Sequence, residues 1–237
     1  MSCDYNLKIN LPIEIIIEWG IFFTGRIHPI ESEILYKHFI KNPGNLILLG
    51  GYRDGFLAMI CAKVFSNYQF HIVEPVKEYI DNINYNLKIN DINNVKIHNC
   101  AIGSYDGYTD LEIKESETHL KQTGFQKNDF ELKKYKINKL SSLLTNEKIE
   151  NIKYLIIDIE NAEALAIKDA VNFGINFILF ETYDLSMNNY KILMDYENKG
   201  YQFYEIDKKN KSLLKKIKDY DQFKNSEFFN YILINKE

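Results

Sequence analysis

The chain has 237 residues, 46% of them hydrophobic and 26% charged, with a net charge of −4 and a pI near 5.8. That is enough apolar material to bury the core of one α/β domain, while the acidic balance argues against a general nucleic-acid binder, which carries a basic surplus. No run approaches the ~20 apolar residues of a membrane span, and Cys3, Cys61 and Cys100 are too few and unpatterned for a disulfide framework or a metal-ligand spacing. With no charged-then-apolar leader, a cytoplasmic protein is expected.

Residues 1–45 read as a helical cap. Leu11 to Phe23 is apolar, and Pro29-Ile30-Glu31-Ser32-Glu33 followed by Leu35, Phe39 and Ile40 reads as a helix start and an apolar stripe. Asn42-Pro43-Gly44-Asn45 ends that helix, and the core domain occupies residues 46–237. Leu46-Ile47-Leu48-Leu49 suits a strand buried on both faces, Gly50-Gly51 breaks it, and the apolar run from Phe56 to Phe65 suits a buried helix. A second strand, Phe70-His71-Ile72-Val73, ends in Glu74-Pro75. Helical spacing from Val76 to Asn90 and a third strand at Val95 to Asn99 follow, with Ala101-Ile102-Gly103 at its exit.

The rhythm then changes. Two alternating stretches, Thr109 to Lys114 and Phe130 to Ile137, flank a polar segment containing His119, which predicts a β-hairpin insertion over 108–137 with a long tip. A short helix from Leu140 towards Glu150 leads to a fourth strand, Tyr154 to Asp158, and a helix from Ala164 to Val171. Phe177 to Glu181, Tyr201 to Ile206 and Phe228 to Ile234 supply strands five to seven, with a helix near Asn189 to Lys199. The lysines from Lys208 to Lys218 read as a solvated helix or loop. The expectation is one α/β domain with a mostly parallel seven-stranded sheet and an antiparallel edge strand.

In an open α/β sheet the ligand crevice lies at the carboxyl ends of the strands, and those of strands one, two, four and five carry Gly51, Glu74, Asp158 and Glu181. Gly51 and Gly55 give a G-x-x-x-G turn that lets the backbone approach a small nucleoside, and an acid ending strand two is placed to accept both ribose hydroxyls of an adenosine. A nicotinamide oxidoreductase is a poorer fit, because its pyrophosphate needs G-x-G-x-x-G.

Gly-Gly-Tyr-Arg-Asp-Gly-Phe at 50–56, Val-Glu-Pro at 73–75, Ala-Ile-Gly at 101–103 and Asp-Ile-Glu-Asn-Ala-Glu at 158–163 together make the chain resemble the FkbM-type S-adenosylmethionine-dependent methyltransferases. The resemblance implies a Rossmann-like methyltransferase domain whose cofactor-binding residues are Gly50, Gly51, Tyr52, Asp54, Gly55, Glu74, Pro75, Ala101, Ile102 and Asp158. By it, Gly51, Tyr52 and Gly55 wrap the methionine, Glu74 holds the ribose, Ala101 and Ile102 flank the adenine, and Asp158 faces the amino acid or methyl end. Leu49 stands where the family usually has an acid, with Asp54 as a substitute contact. Asn161 replaces a glycine, and Ile156 a common lysine. The implied acceptors are sugar hydroxyls of surface glycans, as in polysaccharide biosynthesis, or related small metabolites.

Removal of a hydroxyl proton during methyl transfer asks for a base, and Asp158, Glu160, Glu181 and His119 are the candidates. For Glu163 a helix-start role is the simpler reading. Asp158, Glu160, Glu181 and Asp184 include enough oxygen ligands for Mg²⁺, although no spacing enforces a metal site. No nucleic-acid partner and no membrane span are expected, and the aromatic content leaves room for an oligomer face. The rival reading is a cofactor-binding protein that has lost catalysis.

Overall fold

The computed structural model describes residues 4–10, 28–51, 54–113, 118–120, 131–159, 162–207, 209 and 214–235. The chain divides into two compact units, residues 1–99 and 100–237.

In the first unit, helix α1 (Pro29–Lys41) leads to strand β1 (Asn45–Leu49), then α2 (Phe56–Ala62), β2 (Phe70–Val73), α3 (Lys77–Ile89) and β3 (Val95–His98). The strands are parallel in the order β1-β2-β3, with Leu46 opposite Phe70 and Phe70 opposite Val95. Parallel neighbours need a crossover, and α2 and α3 provide the two. Leu46 to Leu49 and all of α2 are buried, which is why both read as unbroken apolar runs. Helix α2 is shorter than its apolar run. Asn94 explains the early stop: its Nδ2 donates to the carbonyls of Ala62, Phe65 and Tyr68 at 3.3, 3.1 and 3.1 Å, satisfying groups that a continuing helix would have paired itself. Of the expected N-terminal cap, α1 forms as read, and Leu11–Phe23 lies outside the described residues.

The second unit contains two sheets. Strands β4 (Ala101–Ile102), β5 (Gly107–Ile113), β6 (Thr118–Leu120) and β7 (Glu131–Asn138) form one, in the order β4-β7-β5-β6. The predicted hairpin is its centre, β5 running antiparallel to β7 from the pair Gly107–Ile137 to Ile113–Glu131. Ala101-Ile102 is more than the exit of β3, since it pairs with β7 as a parallel edge strand.

Helix α4 (Leu140–Asn146), strand β8 (Ile152–Ile157), α5 (Glu163–Ala170), β9 (Phe177–Glu181), α6 (Met187–Glu197), β10 (Tyr201–Ile206), β11 (Leu214–Lys216), α7 (Tyr220–Lys224) and β12 (Asn230–Asn235) complete the chain. Strands β8 and β9 are parallel. Beyond them β12, β10 and β11 follow in space, each antiparallel to the one before, so β12 and β11 run against β8, β9 and β10. The seven expected core strands all form and β11 adds an eighth, so the antiparallel end is larger than the single edge strand predicted. The lysine cluster hides it: Lys215 and Lys216 are exposed, and Leu214 sits opposite Ile206, as suits an edge strand guarded by charge. The result is an α/β fold with a mostly parallel central sheet. Among the described residues, no helix is long and apolar enough to cross a membrane.

Candidate cofactor site

At the carboxyl end of β1 the chain turns at Gly50, whose φ of +79° is left-handed, and the Gly50 N–H extends the ladder by donating to the Val73 carbonyl at 3.0 Å. The Gly55 N–H closes the loop on the Gly51 carbonyl at 2.7 Å. Gly55 then caps α2 at φ +74°, a conformation L side chains rarely adopt. A Cβ on Gly51 would stand 2.5 Å from Ile83 Cδ1 and 3.2 Å from Glu74 Oε2, and one on Gly55 2.9 Å from Ile83 Cγ2. Both positions are glycine because α3 and the end of β2 approach the backbone so closely.

Glu74 follows the last residue of β2 and is 5% exposed. Its Oε2 accepts the Gly51 N–H and its Oε1 the Val76 N–H, both at 2.9 Å. A carboxylate so far out of water needs such donors, and they fix its plane at the strand end. Asn99, which sequence reasoning passed over, steadies the same corner by donating to the carbonyls of Glu74 and Pro75 at 3.3 and 3.0 Å. Pro75 lies just before the helix start. Asp54 turns its carboxylate to α2, where Oδ1 accepts the Phe56 N–H at 2.8 Å. Tyr52 lies outside the described residues. A buried, doubly anchored carboxylate beside a glycine loop with no room for Cβ atoms fits the ribose diol of an adenosine cofactor.

In the second unit, Ala101 belongs to a buried cluster with Leu111, Ile137 and Ala162, against which Tyr135 and Ile159 pack. The Ala101 edge strand and the segment after β8 therefore meet. Ile102 is buried beside Ala101. Asp158 follows the register pair of Ile157 with Phe180, which sets it beside Glu181 at the carboxyl ends of β8 and β9. Both are half-buried, and Glu181 Oε1 accepts the Tyr183 hydroxyl at 2.8 Å.

Glu163 is buried and accepts the Ile159 N–H at 3.2 Å, closing the turn that opens α5. Glu160 and the side chain of His119 lie outside the described residues. The four-carboxylate ion site is not assembled from the other three: Asp184 is exposed and accepts the Ser186 N–H at 3.0 Å. Among the described residues no group of three or more His, Cys, Asp or Glu side chains could hold a metal ion.

The family described as the methyltransferase FkbM domain matches residues 50–213, more than half of the chain. No curated protein matches in sequence. Among solved structures, the METTL16 methyltransferase domain is similar with a TM-score of 0.53 at 10% identity, over 97% of this chain and 73% of that one. The human methyltransferase 10 domain containing protein gives 0.50 at 8% identity, over 99% and 91%. At such identities the likeness is one of fold.

Proposed function

Since the chain belongs to the FkbM methyltransferase family, a family of S-adenosylmethionine-dependent enzymes, we propose that it methylates an oxygen acceptor, a sugar hydroxyl of a surface glycan or a related small metabolite in polysaccharide biosynthesis. The observation that carries the cofactor half of this reading is Glu74, with one carboxylate oxygen on the Gly51 N–H and the other on the Val76 N–H. S-adenosylmethionine supplies an activated methyl on a sulfonium. The protein's share is alignment and proton removal, and alignment alone lowers such barriers by several kcal/mol.

In this reading Glu74 holds the ribose hydroxyls, and Gly50, Gly51 and Gly55 let the backbone close on the methionine portion. By the family resemblance, Ala101 and Ile102 would flank the adenine. Asp158 and Glu181, adjacent at the ends of β8 and β9, are the candidates to take the acceptor's proton. The Tyr183 hydroxyl donates to Glu181, and either carboxylate is a candidate to accept the proton.

Calorimetric titration with S-adenosylmethionine and S-adenosylhomocysteine tests the cofactor half. Micromolar binding is expected, and Glu74→Ala should abolish it. Equal affinity in the variant would remove Glu74 from the site. A second reading rests on Leu49, fully buried at the place where, by the resemblance, the family usually has an acid: a protein that binds the cofactor without turnover. Methyl transfer to any glycan or small-molecule hydroxyl acceptor would exclude it.

A further inference from the structure

The inner face of α3 carries asparagines at 82 and 86, and Asn90 follows at its C-cap, each about one turn from the last. Asn86 is 0% exposed and Asn90 3%, so their amides must find partners inside the protein. They find them in two places. Asn90 exchanges hydrogen bonds with the backbone of Lys8, its Oδ1 accepting the Lys8 N–H at 2.8 Å and its Nδ2 donating to the Lys8 carbonyl at 2.6 Å. Asn86 Oδ1 accepts the Asn10 N–H at 2.7 Å, and Asn82 Oδ1 accepts from Asn10 Nδ2 at 2.8 Å. The N-terminal segment therefore lies along α3 like an added strand, with Leu7 and Ile9 buried and Asn6, Lys8 and Asn10 exposed.

The other end of the Asn86 amide serves the glycine loop. Its Nδ2 donates to the Asp54 carbonyl at 3.2 Å. Asp54 in turn caps Phe56, and the next residue, Gly55, is bonded to the Gly51 carbonyl. Tyr5 reaches the same helix start, its ring centroid 6.3 Å from that of Phe56. One buried side chain thus joins the segment 7–10 to the loop that presents the Gly51 N–H to Glu74.

We infer that Asn86 is a positioning residue for the cofactor loop and that the N-terminal segment completes it, so that docking of residues 7–10 and cofactor affinity are coupled. The physical reason is the accounting of one amide. Without the Asn10 N–H, Oδ1 of Asn86 is left buried and unpaired, and the side chain regains a partner only by leaving the geometry that holds Asp54. The inference rests on the reading that residues 50–56 bind the cofactor.

Two variants separate the ends. Asn86→Asp keeps the oxygen facing Asn10 and, ionised, loses the donor to Asp54, whereas Asn90→Ala loosens the segment at Lys8, gives up the bond from Asn90 Nδ2 to the Asn86 carbonyl at 2.7 Å, and leaves the Asn86 side-chain amide and its bond to Asp54 in place. In both, amide exchange at Gly55 and Phe56 should quicken while β2 and β3 stay protected. Binding of S-adenosylhomocysteine should weaken, by about tenfold for Asn86→Asp, the weight of one buried hydrogen bond. A purely structural role would instead shift exchange across the whole unit together with the melting temperature.

Unchanged exchange at Gly55 and Phe56 in Asn90→Ala, which keeps every loop contact and serves alone if Asn86→Asp does not fold, overturns the coupling. Altered exchange with unaltered affinity overturns the positioning role. If the wild-type protein binds no S-adenosylhomocysteine, the positioning role falls with the cofactor reading, and the exchange comparison still decides whether segment and loop are linked.

Discussion

Gly51 is where sequence, packing and the proposed cofactor site meet in one residue. The atom nearest a Cβ there is Ile83 Cδ1 at 2.5 Å, followed by Glu74 Oε2 at 3.2 Å. Gly51→Ala should therefore cost about 1–3 kcal/mol of stability, the usual range for overpacking, and weaken cofactor binding as well. The two effects are separable because they come from different neighbours. Ile83→Val deletes the offending Cδ1, so the double variant should recover part of the stability in urea unfolding, a departure from additivity expected of residues in contact. Its affinity for S-adenosylhomocysteine should stay low, because the new methyl still crowds the Glu74 carboxylate. A double variant whose stability loss is the plain sum of the single ones would mean that Ile83 is not what Gly51 avoids. Glycine at 51 and 55 was legible from spacing alone; the reason, the approach of Ile83 from a helix 28 residues or more further along, was not.

At the scale of elements, α4 shows how a helix borrows its cap. Lys139 at its N-cap offers no side-chain acceptor. Asp106, from the turn before β5, supplies one instead: Oδ1 accepts the Lys139 N–H at 2.9 Å and Oδ2 the Ser142 hydroxyl at 2.7 Å. These bonds, Ser142 first, hold the carboxyl below its usual range. A depressed folded-state value means stability that is present above the unfolded pKa of about 3.9 and lost as pH falls through the folded one. Asp106→Asn should therefore melt at a lower temperature than wild type at pH 7, and the gap should close in acid; a gap that persists at pH values where Asp106 is protonated would acquit the carboxylate. No local pattern announces this cap, since its partners lie more than 30 residues apart. The same reasoning covers β4 and β11, two and three residues long, whose strand character comes from β7 and β10 rather than from any period of their own. The long elements were legible because burial on both faces writes continuous apolar runs, as in β1, β2, β8 and β9. The asparagines of α3 were visible at their four-residue spacing, but the spacing does not say that this polar stripe faces inward.

For the whole molecule the open question is how residues 1–99 and 100–237 share the work of folding. Among the described residues each holds one buried cysteine: Cys61 in α2, fully buried, and Cys100 just before β4. Burial raises the Cys61 thiol well above its ordinary value and pushes Cys100 up to about 11. At pH 8 the Cys100 thiolate is then about one molecule in a thousand, and neither thiol should react with Ellman's reagent in the native protein. In a Cys3→Ser background the two thiols become separate reporters, one for each unit. The family match runs from residue 50 to residue 213, across the boundary between the units, so the matched segment is not either unit alone. We expect one cooperative domain on that ground, and hence both thiols becoming reactive at a single urea midpoint that agrees with the loss of circular dichroism. Added S-adenosylhomocysteine should move that midpoint for both thiols together, since a ligand of the native state stabilises everything that unfolds with its site. Separate midpoints, with only Cys61 responding to the ligand, would make 1–99 and 100–237 independent folding units and confine the effects of Gly51, Glu74 and Asn86 substitutions to the first.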